Sequence, residues 1–311
     1  MTAIKGRVRG LTAAMLALSA MSFTAHAADD TVRVGSKIDT EGSLLGNIII
    51  QVLEANGIHT TNKLQLGTTK VVRGAITAGE IDIYPEYTGN GAFFFSDEKD
   101  PAWKNAQAGF DKVKKLDYDQ NKIVWLDPSP ANNTWTIAVR QDVASAHDLK
   151  SLADLGKFIS SGGDFKLAAS AEFIERPDAL PAFENAYGFK LNQQQLLSLA
   201  GGDTAVTIKA AAEKTSGVNA AMAYGTDGPV AALGLQTLED PKGVQPIYAP
   251  APIIREAVLK AHPNIPDLLK PVFASLDTKT LQTLNAKIAV DGQDAKKVAA
   301  KYLQDKGFVK K

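Results

Sequence analysis

Residues 32–53, VRVGSKIDTEGSLLGNIIIQVL, determine the first unit of the fold. Val32 and Val34 alternate with polar residues, which predicts a short β-strand. From Leu44 to Leu53, apolar residues recur at helical spacing, and Gly57 ends the predicted helix. The first unit is therefore a strand followed by a helix.

The same alternation continues along the chain. Residues 64–66 predict a second strand, and Thr68 or Thr69 can cap a helix that ends at Gly79. The third strand follows directly, and we expect it to break at Pro85. Further strand-like runs lie at 122–126, 134–139, 165–169 and 218–223, and residues 253–303 read as mostly helical. Strands that alternate with helices predict an α/β fold with largely parallel sheets.

The N-terminus has the pattern of a secretory signal peptide. Three basic residues precede an uncharged apolar stretch at 11–20, and Ala25-His26-Ala27 forms a small-x-small cleavage motif. We therefore expect residues 1–27 to be removed on export. The chain contains no cysteine, so it cannot be acylated as a lipoprotein. An exported, unanchored protein is expected in the periplasm.

The composition of the chain limits the classes of function that we expect. Without residues 1–27 the chain keeps 284 residues and a net charge of −3. Nucleic-acid binding needs a basic face, so we expect no nucleic-acid partner. The length suits two lobes, and a cleft between lobes is a common ligand site. No cofactor or metal motif is present, and we expect neither group.

An enzymatic function is the alternative from another class. His59, His147 and His262 have no nucleophile or carboxylate motif beside them, and the chain contains no phosphate-binding loop. Asp82 and Glu86 could form an acid pair, but their position at a strand end favours a structural role. A secreted hydrolase therefore remains only a minor alternative.

Aromatic and basic residues fall in polar loops that follow predicted strands, where open α/β sheets bind ligands. The aromatic residues are Tyr84, Tyr87, Trp135, Tyr224 and Tyr248, and the basic residues are Lys37 and Arg176. Ring faces attract a quaternary ammonium, which cannot donate an N–H hydrogen bond. Lysine and arginine bind a carboxylate. The combination indicates a ligand with a cationic end and an anionic end.

Six strings occur in order along the chain: GSK, GEIDIYPEYTG, NNTWTIAVR, AEFIERPDALPAF, AYGTDG and YAPAPIIRE. With them, the chain resembles the substrate-binding proteins of osmoprotectant ABC importers, which take up glycine betaine, choline, carnitine and proline betaine. The resemblance implies a type-II periplasmic-binding-protein fold. Lobe 1 would comprise residues 28–131 and 247–311, and lobe 2 would comprise residues 132–246. The crossings would fall near Asn132 and Gln245.

The resemblance also implies a binding site, a mechanism and partners. Its aromatic box around the ammonium group corresponds to Tyr87, Trp135, Tyr224 and Tyr248. Its carboxylate partners correspond to Lys37, Arg176 and Asn90, and its head-group contact corresponds to Asn133. The lobes would close on a ligand and deliver it to permease subunits in the inner membrane. The protein would act as a monomer.

Two positions depart from the common family pattern: Trp135 replaces a tyrosine, and Asn133 replaces an aspartate. Choline has no carboxylate for Lys37 or Arg176, so we rank zwitterionic betaines above choline. Another zwitterion such as proline is the alternative within the binding class. A primary ammonium would need carboxylate acceptors in the box, and the matched positions supply none.

Overall fold

The computed structural model describes residues 31–310. The predicted signal peptide, residues 1–27, lies outside the described residues. The described part combines ten strands with fourteen α-helices, which confirms the predicted α/β class. Within residues 31–310, no helix combines the length and apolar character needed to cross a membrane.

The strands and helices alternate over most of the described chain. The strands are β1 (Val32–Lys37), β2 (Thr60–Gly67), β3 (Ile83–Tyr87), β4 (Ile123–Trp125), β5 (Trp135–Arg140), β6 (Leu167–Ser170), β7 (Leu196–Leu199), β8 (Ala220–Tyr224), β9 (Leu235–Thr237) and β10 (Pro250–Arg255). The helices are α1 (Thr40–Ala55), α2 (Thr69–Thr77), α3 (Asn90–Phe94), α4 (Ala106–Asn121), α5 (Gln141–Ala146), α6 (Leu152–Ser160), α7 (Ala171–Glu175), α8 (Leu180–Tyr187), α9 (Thr204–Ala212), α10 (Pro229–Ala232), α11 (Glu256–Ala261), α12 (Ile265–Ala274), α13 (Thr278–Ala289) and α14 (Ala295–Asp305).

The strands form two five-stranded sheets with the same internal order. Sheet A has the order β2-β1-β3-β10-β4, and sheet B has the order β7-β6-β8-β5-β9. In each sheet, three strands run parallel and the fourth position holds an antiparallel strand that arrives from the other half of the chain. The described part is therefore built from two similar halves.

The expected break at Pro85 is wrong, because β3 continues through this residue to Tyr87. Pro85 pairs with Pro252 of β10, and three positions further along this ladder the Thr88 N–H donates a hydrogen bond to the Ala249 carbonyl. Hydrogen-bonded and non-hydrogen-bonded pairs alternate along an antiparallel ladder. Pro85 therefore faces β10 at a position that requires no N–H, and the strand tolerates it.

The chain passes between the two sheets twice, through residues 126–134 and 238–249. These connections lie side by side: the backbone N–H of Tyr248 donates to Asn132 Oδ1 at 2.9 Å, and the N–H of Asn133 donates to the Tyr248 carbonyl at 2.9 Å. The predicted lobe boundaries lie within the two connections. The division into two moving lobes stays a prediction.

Each sheet buries apolar side chains on both faces. Neighbouring residues of β3 enter different core clusters, Ile83 towards α1 and the C-terminal helices and Tyr84 towards α2 and α4. Ile137 and Ala138 of β5 divide in the same way. The apolar stripe of α1 is fully buried: Leu44, Leu45, Ile48, Ile49, Val52 and Leu53. Each such side chain contributes about 1.5–3 kcal/mol, so α1 fixes the turn that precedes it.

Candidate ligand-binding site

The turn between β1 and α1 provides one wall of the site. Asp39 caps α1, because its side-chain oxygen accepts a hydrogen bond of 2.7 Å from the Gly42 N–H. A Cβ atom at Gly42 would lie 2.9 Å from the Lys37 carbonyl oxygen, so only glycine lets the helix start this close to the strand end. The turn therefore holds Lys37 and Asp39 in the wall of the site.

The four aromatic residues predicted to form the box line one small cavity of about 20 Å³. Tyr87 ends β3 of sheet A, Tyr248 lies in the second connection two residues before β10, and Trp135 and Tyr224 lie at strand ends of sheet B. The cavity is lined by Lys37, Asp39, Thr69, Tyr87, Asn90, Asn133, Trp135, Tyr224 and Tyr248. Seven of the eight predicted site residues thus surround one space, which has room for about one water molecule.

Strand register explains how the rings meet. Trp135 and Tyr224 face each other across β5 and β8, beside the hydrogen-bonded pair Thr134 and Gly225. Side chains of a non-hydrogen-bonded pair lie close together. The two rings stack with centroids 6.0 Å apart and planes 18° apart. The Tyr248 ring lies 5.8 Å from Trp135 and is tilted by 59°.

A buried carboxylate on α1 orients two residues of the cavity. Glu41 Oε1 accepts hydrogen bonds from the Tyr87 hydroxyl and from Asn133 Nδ2, both at 2.9 Å. Its second oxygen accepts from Asn285 Nδ2 of α13 at 2.7 Å. Burial raises the Glu41 pKa and these hydrogen bonds oppose the rise. Through these hydrogen bonds, Glu41 of α1 links β3, α13 and the connection at residues 126–134.

The ammonium group of Lys37 is already paired with a carboxylate of the protein. Its ammonium lies 2.7 Å from Glu86, which is fully buried, and 4.5 Å from the centre of the Tyr87 ring. Glu86 also accepts hydrogen bonds from the Tyr84 hydroxyl and from Asn90 Nδ2. Glu86 therefore neutralises Lys37 and positions Asn90, which is a structural role.

Arg176 stands behind the box and does not line the cavity. It forms two hydrogen bonds with Asp178, at 2.8 and 2.6 Å, and one with Glu172 at 3.0 Å. Its guanidinium lies 4.5 Å from the Trp135 ring centre and donates to Asn90 Oδ1 at 3.0 Å. Arg176 thus links sheet B to sheet A through Asn90. Its contact with a ligand carboxylate stays a prediction.

One buried polar atom at the cavity, Asn133 Oδ1, has no hydrogen-bond partner among residues 31–310. Because Glu41 can only accept when ionised, the Asn133 amide must turn its NH₂ group towards Glu41 and its oxygen away. A buried polar atom without a partner costs about 1–3 kcal/mol. Asn133 Oδ1 is therefore an acceptor that the cavity offers to a ligand.

Sequence reasoning missed Asp39 and Thr69 as lining residues. Asp39 brings a carboxylate to the cavity from outside the matched positions, which contain none, and its side chain also caps α1. The available signal was its position two residues after Lys37, in the same turn. Thr69 was interpreted as one possible helix cap, but Thr68 occupies the N-cap position of α2.

A larger groove of about 680 Å³ lies between α13 and the turn after β8. Gly228 and Ala286 approach each other there. Among the predicted site residues, only Tyr224 reaches this groove. The convergence of aromatic rings distinguishes the smaller cavity as the candidate site.

The chain belongs to the family described as the substrate-binding domain of the ABC-type glycine betaine transport system, whose model matches residues 30–305. The paired sheets and their order are those of the type-II periplasmic-binding-protein fold, as predicted. The fold and the family thus define a substrate-binding protein of an ABC importer.

Individual relatives agree with this assignment. The chain is 73% identical to the glycine betaine-binding protein YehZ of Escherichia coli K12, over 95% of this chain and 97% of that protein. It is 31% identical to the glycine-betaine-binding protein of Pseudomonas aeruginosa, over 89% of this chain and 88% of that protein. The solved structure of apo YehZ from E. coli is 76% identical, with a TM-score of 0.67, and covers 90% of this chain and 99% of that chain.

Proposed function

We propose that this protein captures glycine betaine between its two sheets and delivers it to the permease of an ABC importer. The observation that carries the proposal is the convergence of Tyr87, Trp135, Tyr224 and Tyr248, from both sheets, on one cavity. The relatives named for glycine betaine binding support the choice of ligand.

Cation–π attraction and burial of methyl groups would hold the trimethylammonium end. Each ring contact contributes about 0.5–2 kcal/mol, and the sum must exceed an association cost of at least about 4 kcal/mol. The ligand carboxylate would be bound by Lys37, Arg176 and Asn90.

The cavity must widen to admit such a ligand, because a trimethylammonium group is several times larger than a water molecule. Residues 28–131 and 247–311 would form one lobe, residues 132–246 the other, and the paired connections would form the hinge. Chains that are 76% identical share their local folds. A TM-score of 0.67 is low for an apo relative that is 76% identical, and a different placement of the two proposed lobes would account for it.

Export completes the proposed function. Residues 1–27 would direct the chain to the periplasm and be removed there, leaving a monomer that is not anchored by a lipid. The closed form would present both lobes to permease subunits of the inner membrane. This mechanism requires binding without turnover, so the protein would not be an enzyme.

A ligand panel tests the proposal. The mature protein should show a saturable change in intrinsic fluorescence with glycine betaine and remain chemically inert towards it. At a ligand concentration of 100 times Kd, binding stabilises the folded state by about 2.7 kcal/mol. A rise in Tm of several degrees follows. Proline betaine, carnitine, choline and proline serve as comparisons, and no response to any of them would refute the assignment.

A further inference from the structure

Asp39 is a carboxylate in the cavity wall that neither the sequence motifs nor the family resemblance identified. It lines the cavity together with Tyr87, Trp135 and Tyr224. Its position is rigid, because one carboxylate oxygen accepts the capping hydrogen bond from the Gly42 N–H. The helix that it caps, α1, is anchored by its buried apolar stripe.

The charge of Asp39 has no counter-ion among residues 31–310. Lys37 is the nearest base, but it is paired with Glu86 at 2.7 Å. Burial raises the pKa of Asp39 to about 6, although Lys37 opposes this rise. Asp203, at the start of α9, adds a further negative charge nearby. The local charge around Asp39 is therefore negative.

A second observation at the same cavity points to a cation. Asn133 Oδ1 is buried and accepts no hydrogen bond within the described part of the chain. Carbonyl oxygens, carboxylates and ring faces are the groups that attract a methylated ammonium, which cannot donate an N–H. The cavity thus combines four rings, an acceptor without a partner and a carboxylate without a counter-ion.

We propose that Asp39 is the direct electrostatic partner of the ligand's cationic nitrogen, and that it makes the cavity select a ligand with this charged nitrogen over a ligand of the same shape that has an uncharged carbon in its place. This inference rests on the proposed function. Asp39 would supply the negative charge that Asn133 lacks. It would also let the site accept a cation whose carboxylate is missing, because Lys37 and Arg176 are already neutralised by Glu86 and Asp178.

Other nearby acids do not fill this role. Both oxygens of Glu41 accept hydrogen bonds from protein groups. Asp227 lines the larger groove and accepts hydrogen bonds from the Tyr224 N–H and the Thr204 hydroxyl. Asp203 caps α9 and does not line the cavity. Asp39 is the acid among the lining residues.

The test compares the wild-type protein with Asp39→Asn. Asparagine keeps the capping oxygen and removes the charge, so the helix start is preserved. Calorimetric titration at pH 7.5 would use glycine betaine, choline and 3,3-dimethylbutanoate. The last compound has the shape and carboxylate of glycine betaine but carries carbon in place of the charged nitrogen.

Asp39→Asn should weaken binding of glycine betaine and choline by about tenfold, the scale of one partly screened charge contact. Binding of 3,3-dimethylbutanoate should stay the same or improve, because an anion no longer meets Asp39. Asp294→Asn removes the charge from the exposed cap of α14 and should change none of the affinities. Asp203→Asn removes a nearby charge that does not line the cavity. An equal loss in that variant would overturn a direct role for Asp39.

A pH series gives a readout that a purely structural role would not change. The charged groups around Asp39 are Lys37 on β1, Glu41 on α1 and Asp203 at α9, and the hydroxyls of Tyr87 and Tyr224 face it from β3 and β8. Wild-type affinity for choline should fall from pH 7.5 to pH 5 as Asp39 takes up a proton. The Asp39→Asn variant should lose most of this dependence.

Two different failures can be distinguished. If the wild-type protein binds neither glycine betaine nor choline, the proposed function is wrong, and the role of Asp39 with it. If the wild-type protein binds glycine betaine and Asp39→Asn binds it within twofold, the proposed function stands and the role of Asp39 is refuted.

Discussion

Trp135 contacts more of the candidate site than the other rings do. Its indole stacks on Tyr224, tilts against Tyr248 and packs edge-on against Phe173 of the sheet B core. The guanidinium of Arg176 covers it from behind. A single side chain thus belongs to the cavity wall and to a hydrophobic core at once, so its substitution affects both binding and stability.

Substitution of Trp135 separates these two effects. Trp135→Phe should weaken glycine betaine binding several-fold, because phenylalanine is a poorer cation–π partner. It should also abolish the ligand-dependent fluorescence change. Trp103→Phe is the matched control: Trp103 is buried in the sheet A core, and its substitution should lower Tm without changing Kd. Equal affinities of wild type and Trp135→Phe would contradict a box built on this residue.

Arg176 should matter for stability before any ligand binds. Arg176→Met leaves Asp178 buried without its partner, which costs about 3–5 kcal/mol of unfolding free energy. Lys115→Ala breaks an exposed pair with Asp119 and should leave the free energy of unfolding almost unchanged. Urea unfolding measures both values, and a cost below 1 kcal/mol for Arg176→Met would contradict the buried pair.

A second variant tests whether Arg176 also binds the ligand carboxylate. Arg176→Met combined with Asp178→Asn removes the unpaired charge and should recover part of the lost stability. Binding of glycine betaine should stay weak if Arg176 meets the carboxylate. Recovery of wild-type affinity together with stability would limit Arg176 to a structural role.

At the scale of elements, the site is made by strand ends and helix starts that meet at the two connections. The end of β1 and the start of α1 place Lys37 and Asp39, and the antiparallel pair β5 and β8 places Trp135 beside Tyr224. Gly89 follows β3, and a Cβ atom there would lie 2.9 Å from the Ile247 carbonyl oxygen. This close approach lets β3 and the second connection position Tyr87 and Tyr248 together.

The junction of β8 and α9 should make stability depend on pH. Burial raises the pKa of Asp227 to about 8, although hydrogen bonds from the Tyr224 N–H and Thr204 lower it. The folded state therefore holds a proton that the unfolded state releases near pH 3.8. The free energy of unfolding should fall as pH rises from 5 to 8, by as much as about 1.4 kcal/mol per pH unit.

Asp227→Asn checks this dependence. The amide keeps an acceptor for the Tyr224 N–H and gives Thr204 Oγ1 a donor, so the junction should remain folded. Urea unfolding at pH 6, 7 and 8 should show a shallower decline in the variant. The same slope in both proteins would show that Asp227 does not carry the effect. Asp39 contributes mainly below about pH 6.

At the scale of the whole molecule, two sheets with the same strand order are joined by two side-by-side connections, and both sheets contribute aromatic rings to the candidate cavity. In the proposed mechanism the two lobes would close on the ligand, and the permease would recognise the closed form.

The proposed hinge closure can be measured with paired spin labels, because the chain contains no cysteine. Val71 on α2, in predicted lobe 1, and Val206 on α9, in predicted lobe 2, are half-exposed, so each can be replaced by cysteine. Glycine betaine should shorten and narrow the distance distribution between these labels. Labels at Val71 and Lys301, both in predicted lobe 1, should show no change. Identical distributions with and without ligand for the first pair would exclude hinge closure.

The sequence by itself determined the α/β class, the first strand–helix units and the residues that meet at the cavity. The periodicity of apolar residues predicts which face of a helix or strand is buried. The ordered motifs shared with a known family predict which loops contribute to one site. The interpretation of Pro85 as a strand break failed, because a local residue preference cannot reveal that the partner strand requires no N–H at that position.

Only the tertiary structure decided which charged groups of the site pair with one another. It paired Lys37 with Glu86 and Arg176 with Asp178, and it left Asp39 in the cavity wall without a counter-ion. These partners come from turns and strands whose contacts depend on packing across each sheet. The sequence shows which charged residues are present. Their net effect on a ligand depends on the distances between them, which are set only when the chain folds.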